Sequence, residues 1–165
     1  MSDKQRESKF PSTLPATLSN EAFCRAFYCF LKENNREHHL VFWLEAEEFR
    51  FLQSDTQTRA QEIFESFFNS NSTSYLNIEL SDDLVEEYNQ RSPHCFESAQ
   101  HSSFLFLSTQ IESFINHDIY RNLVTEEQAA GKGILIFSID FLYITITLSN
   151  IDSSFFNFFS KFKKK

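Results

Sequence analysis

Apolar residues recur along this chain with the three-and-four spacing of amphipathic helices, and short polar stretches separate the runs. Phe23, Ala26, Phe27, Phe30 and Leu31 fall at i, i+3, i+4, i+7 and i+8, which predicts a helix ending near Lys32. Asn34-Asn35 breaks it within a polar turn, Glu33–Glu37, and an apolar run resumes at Leu40 and closes at Phe49. There Phe42, Ala46 and Phe49 lie at i, i+4 and i+7, and Leu40, Trp43 and Leu44 at i, i+3 and i+4. So wide an apolar arc predicts a helix packed on more than one side, central to a bundle. Within it the single tryptophan, Trp43, reads as core, and Glu45, Glu47 and Glu48 read as a solvated face.

The same pattern continues downstream. Asp55 stands where an N-cap belongs, and Thr58 with Gln61 also fits a Thr-x-x-Gln capping box. The helix they open carries Ala60, Ile63, Phe64, Phe67 and Phe68 as its stripe. Asn69 to Ser74 is all Asn, Ser and Thr and predicts a loop; Tyr75-Leu76-Asn77-Ile78 predicts a short extended piece. Ser81-Asp82-Asp83 opens a helix to about Gln90, and Ser92-Pro93 reads as a cap with proline at the first helical position. The helix that follows keeps Phe96, Ala99, Ser103, Phe106 and Leu107 on one side. It bends around Thr109–Ser113 and continues inward through Ile111, Phe114 and Ile115 to Ile119 and Tyr120. About seven short helices with short loops predict one all-α bundle over residues 18–122, after a flexible lead-in, 1–17, and before a tail, 123–165.

Composition narrows the class. With 2 Gly and 3 Pro against 21 Phe, the chain has little turn chemistry for an all-β fold. A net charge of −8, with nothing basic and contiguous before the last few residues, argues against a nucleic-acid partner. Cys24, Cys29 and Cys95 lack pairing or ligand spacing and predict reduced thiols in a cytosolic protein. The N-terminal stretch MSDKQRESKFPSTLP has no apolar run suited to a signal peptide, which predicts residence in the cytosol.

Catalytic chemistry is not visible. There is no glycine-rich phosphate loop, no nucleophile elbow and no nucleotide fingerprint. His38-His39 are adjacent and do not converge on one ion, and no cofactor is implied. The chain does not read as an enzyme of its own. Residues 134–151 form an apolar run with Lys161–Lys165 beyond it, which leaves open a membrane anchor, an extended segment, an unstructured tail, and a stretch read past a splice site. Asp140 within that run would cost about 2.5–3.5 kcal/mol on insertion.

Three stretches carry a resemblance. FLKENNREHHLVFWLEAEEF (30–49), Leu76-Asn77-Ile78 and CFESAQHSSFLFL (95–107) stand in the order and at the spacings of the regulator of G-protein signalling (RGS) domain. Within that family, HHLVFWLEAEEF and PHCFESAQ look most similar to the RGS-like domains of dual-specificity A-kinase anchoring proteins. The resemblance implies a helical bundle whose best-known activity is acceleration of GTP hydrolysis by Gα subunits. Its loops hold the Gα switch regions while the Gα glutamine and arginine carry out the reaction.

By that resemblance the Gα-facing surface comprises Asn34, Asn35, His38, His39, Asn77, Thr109, Gln110 and Ser113. The family's acidic residue and its Glu-Asn pair before the tryptophan helix are here Asn34, His38 and His39, so His39 replaces the key Asn. Asn77 matches the second contact Asn. The family's later Asp-Ser and Arg fall near Thr109-Gln110 and Ser113, where the acid and base are missing. An imidazole is bulkier than a carboxamide and partly charged near neutral pH. Each lost charge-assisted contact costs about 1.5–3 kcal/mol. The expected outcome is a kept fold with weak or absent Gα activation. Two readings stay open: a GTPase-activating regulator of Gα, and a non-catalytic module that recruits other partners such as Rab-type small GTPases or an anchoring scaffold. The residues favour the second.

Overall fold

Phenylalanine rings fill the interior of the protein. The computed structural model describes residues 10–78, 82–89 and 92–130. Among them the chain is helical without strands: α1 (Leu14–Ser19), α2 (Glu21–Glu33), α3 (Glu37–Phe49), α4 (Thr56–Phe67), α5 (Asp82–Asn89), α6 (Glu97–Ile115) and α7 (Asp118–Ala130). They divide into two compact units, one of residues 10–31 with 108–130, the other of residues 32–107.

In the first unit the predicted stripe of α2 is the buried one: Phe23, Ala26, Phe27, Phe30 and Leu31 are all interior. Phe114 packs its ring on Phe27 at 5.0 Å and on Phe30 at 5.6 Å, and meets Tyr120 edge-on at 5.2 Å. Phe23 lies 5.3 Å from Tyr120 and 6.1 Å from Phe10, and the Tyr120 hydroxyl donates to the Pro11 carbonyl at 2.9 Å. The Asn20 side chain accepts from the backbone N–H groups of Ala22 and Phe23, satisfying the first turn of α2. Structure extends past the predicted 18–122 on both sides. Leu14 and Thr17 of α1, within the predicted lead-in, are buried, and so are Leu123 and Ala129 of α7.

The second unit is built around Phe42. Its ring meets Phe67 at 5.4 Å, Phe68 at 5.3 Å and Phe96 at 6.1 Å, the last two nearly perpendicular. Ala46, Phe49, Ala60, Ile63, Leu76, Leu84, Cys95 and Ala99 complete this cluster. Helix α3 buries Leu40, Phe42, Leu44, Ala46 and Phe49, which point in several directions around its axis, as the wide arc predicts.

Local details depart from the pattern in five places. Asp55 occupies the N-cap position of α4 but in a left-handed conformation, φ 55°, without a side-chain cap bond; Thr58 lies inside the helix, so no capping box forms. Ser92-Pro93 begins a turn, in which Ser92 Oγ accepts from the His94 N–H at 3.2 Å, and α6 starts only at Glu97. Across Thr109–Ser113, where a bend is expected, α6 stays helical to Ile115 without a break. Trp43 is half-buried rather than core. Glu45 and Glu47 are not simply solvated: Glu45 pairs with Arg59 at 3.2 Å and Glu47 with Arg50 at 3.3 Å.

All three cysteines are free thiols, with Cys24 and Cys95 buried; burial pushes the Cys24 thiol up to about 12, which keeps it protonated. No helix among the described residues is long and apolar enough to cross a membrane, and the run 134–151 lies outside them.

Because Phe42 touches three other rings and is fully enclosed, Phe42→Ala should cost about 3–5 kcal/mol of stability. Urea unfolding followed by circular dichroism measures this, as a lower midpoint at unchanged slope.

Candidate partner-contact surface

Helix α2 ends at Glu33, and the chain reverses through Asn34, Asn35 and Arg36. Asn35 adopts φ 53°, a left-handed conformation that asparagine tolerates better than most residues, and its N–H donates to the Lys32 carbonyl at 3.1 Å. Both asparagines are exposed. Glu37 opens α3, where a carboxylate meets the positive end of the helix dipole, and its Oε1 lies 3.9 Å from His38 Nε2.

His39 turns back onto α6. Its ring stacks on Phe106 with centroids 4.0 Å apart and planes 27° apart, and its Nδ1 lies 3.4 Å from Ser103 Oγ. Burial, helped by neighbouring His38, lowers its pKa from the usual 6.5 to about 4, so the ring is neutral at physiological pH. This corrects the expectation of a partly charged imidazole at position 39.

One turn further along, the buried Gln100 carboxamide donates to the Trp43 carbonyl at 3.2 Å and to Glu47 Oε2 at 3.0 Å. Two of the three stretches that carry the family resemblance, 30–49 and 95–107, are thus joined by hydrogen bonds. In the same unit Asn77 is exposed with φ 51°, just after Leu76, whose side chain is buried and whose N–H donates to the Phe67 carbonyl at 3.0 Å. A buried leucine followed by a left-handed asparagine presents the latter outward.

Thr109, Gln110 and Ser113 lie in the last two turns of α6 and belong to the other unit. Gln110 Nε2 donates to Thr109 Oγ1 at 2.7 Å, and Thr109 and Ser113 are exposed. The structure brings Asn34, Asn35, His38 and His39 together on the α2–α3 turn and the start of α3.

The sequence pattern passes over one pair. Asp118 and Arg121, in the first turn of α7, form an ion pair at 3.5 Å with side chains 86% and 61% exposed. The signal was present: an acid and, three residues on, a base flank the buried Tyr120. Among the described residues no group of His, Cys, Asp or Glu is placed to hold a metal ion.

The family model of the regulator of G protein signaling domain matches residues 13–124, from just before α1 into α7. The chain belongs to this family. It is 31% identical to human Regulator of G-protein signaling 16 over 74% of this chain and 63% of that protein. Against bovine Regulator of G-protein signaling 16 the identity is 34% over 69% of this chain and 59% of that protein. Human Regulator of G-protein signaling 1 is 27% identical over 73% of this chain and 60% of its own length. The chain thus spans about three fifths of the length of these relatives.

The His39 environment has a consequence for stability. Between pH 6.5 and 4 the unfolded chain binds a proton at residue 39 that the folded chain does not. Its contribution is therefore complete above about pH 6.5 and is lost as the pH falls toward about 4. In urea titrations at pH 7 and 5, wild type should lose more stability on acidification than His39→Asn; equal losses would contradict the burial of the ring.

Proposed function

We propose that this chain regulates heterotrimeric G-protein signalling by binding a Gα subunit, and that it accelerates GTP hydrolysis only weakly. Membership of the family and the names of its relatives support the partner. One observation carries the weak acceleration: the side chain at position 39 is packed on Phe106 and Ser103 instead of offering a carboxamide. A carboxamide presents a donor and an acceptor together; a neutral imidazole whose Nδ1 is taken up by Ser103 keeps at most one polar nitrogen, Nε2, for a partner. Acceleration by this family rests on holding Gα groups in place for the transition state, so loss of that contact acts on the rate directly.

Binding has better support than hydrolysis. Asn77 keeps the second asparagine and is exposed. Asp118 and Arg121 lie inside the matched span, past the third stretch of resemblance, and supply the acidic and basic groups that Thr109, Gln110 and Ser113 lack. We take them as the counterparts of the family's Asp and Arg. A second reading, favoured by the same packing of His39, is a docking module that leaves Gα alone and recruits a Rab-type GTPase or a kinase-anchoring scaffold.

Single-turnover hydrolysis by GTP-loaded Gα, with the full chain added, tests the proposal alongside binding to Gα carrying GDP and aluminium fluoride. The expected result is measurable binding with less than about tenfold acceleration, and a few-fold gain in rate on His39→Asn. Asp118→Ala and Arg121→Ala should each weaken binding by about 1.5–3 kcal/mol, the usual worth of a charge-assisted contact. Acceleration far above tenfold by the wild type overturns the weak-activator reading; absence of binding to any Gα favours the docking module.

A further inference from the structure

Helix α6 presents two buried polar side chains to α3 three residues apart, Gln100 at 7% and Ser103 at 0% exposure. Their partners on α3, Trp43 with Glu47 and then His39, lie at i+4, i+8 and i, a single stripe of that helix. Gln100 fixes the register of the two helices through two hydrogen bonds. Ser103 and Phe106 then close on residue 39, one through a hydroxyl and the other through a ring face. A hydroxyl enclosed as completely as that of Ser103 needs a partner, and the His39 ring supplies it.

We propose that Ser103 and Phe106 act as positioning residues that latch the side chain at position 39 against α6, and that this latch limits how far a carboxamide at position 39 could act on Gα. This rests on the Gα reading above. The δ atoms of an asparagine stand one bond beyond Cγ, where the imidazole Nδ1 stands. An asparagine placed at 39 therefore still reaches the Ser103 hydroxyl, and substitution of the histidine alone frees the position only in part. What a carboxamide loses is the ring stacking on Phe106. The identity of residue 103, buried and out of a partner's reach, thus governs what residue 39 presents.

A double-mutant cycle separates this from simple loss of the histidine. Ser103→Ala alone should change single-turnover hydrolysis by less than twofold. The pair His39→Asn with Ser103→Ala should be at least tenfold faster than His39→Asn alone. A double variant no faster than His39→Asn overturns the effect on Gα.

The latch itself is read without any G protein, by ring nitrogen resonances of His39 in the full chain. Wild type should show one dominant tautomer and a titration midpoint near 4. In Ser103→Ala the tautomers should mix and the midpoint should rise toward the ordinary value. Phe106→Leu, which leaves the hydroxyl in place, should raise the midpoint as well and guards against a folding defect in the serine variant. Unchanged ring signals in both variants overturn the latch. Changed ring signals with no Gα binding by any variant overturn the choice of partner and leave the latch standing.

Discussion

Enclosing an aromatic helix leaves the polar groups packed against it in need of partners, and Gln100 shows how this chain supplies them beside α3. Phe42 enters a cluster of rings on one side, and on another the Gln100 carboxamide bonds to the Trp43 carbonyl and to Glu47. The rings supply most of the free energy, because burial of large apolar surface has no directional requirement. The amide supplies direction, since a helix could slide by a turn along a greasy wall but not past two hydrogen bonds of fixed geometry. The α2–α3 turn with Asn34 and Asn35, and the start of α3 with His38, inherit their place from that register.

Position 39 shows how side-chain chemistry decides which way a residue at the start of a helix faces. A residue in the first turn of a helix can face outward or fold back onto a neighbouring helix. An aromatic imidazole gains by folding back, because it stacks on Phe106 and loses little by giving up its charge. A carboxamide gains less from such a surface and more from water or a partner. At such a position, packing on a neighbouring helix and exposure of a polar group are therefore alternatives.

The sequence made the interior largely legible. The stripe of α2 and the stripe of α4 follow from spacing alone, because each helix buries one face and the period of 3.6 is visible in phenylalanines. Three-dimensional competition hid the rest. Asp55 could have capped α4, but the chain arrives there in a left-handed conformation and its carboxylate makes no cap bond. Ser92-Pro93 could have opened α6, but the turn it forms delays the helix until Glu97. Glu45 and Glu47 look solvated in a one-dimensional pattern because their partners Arg59 and Gln100 lie far along the chain. Asp118 and Arg121 were hidden by length: α6 runs unbroken to Ile115, so the acid and base arrive later than the spacing of the third stretch implies.

Trp43 is the only indole in the chain, and it sits half-buried at the seam of α3 and α6, 6.5 Å from Phe104, with its own carbonyl held by Gln100. Its emission therefore arises from one address. Any shift in wavelength or lifetime reports on the packing of these two helices without an attached dye, and does so from the same helix that carries position 39. The molecule contains its own optical gauge of the contact on which its register depends.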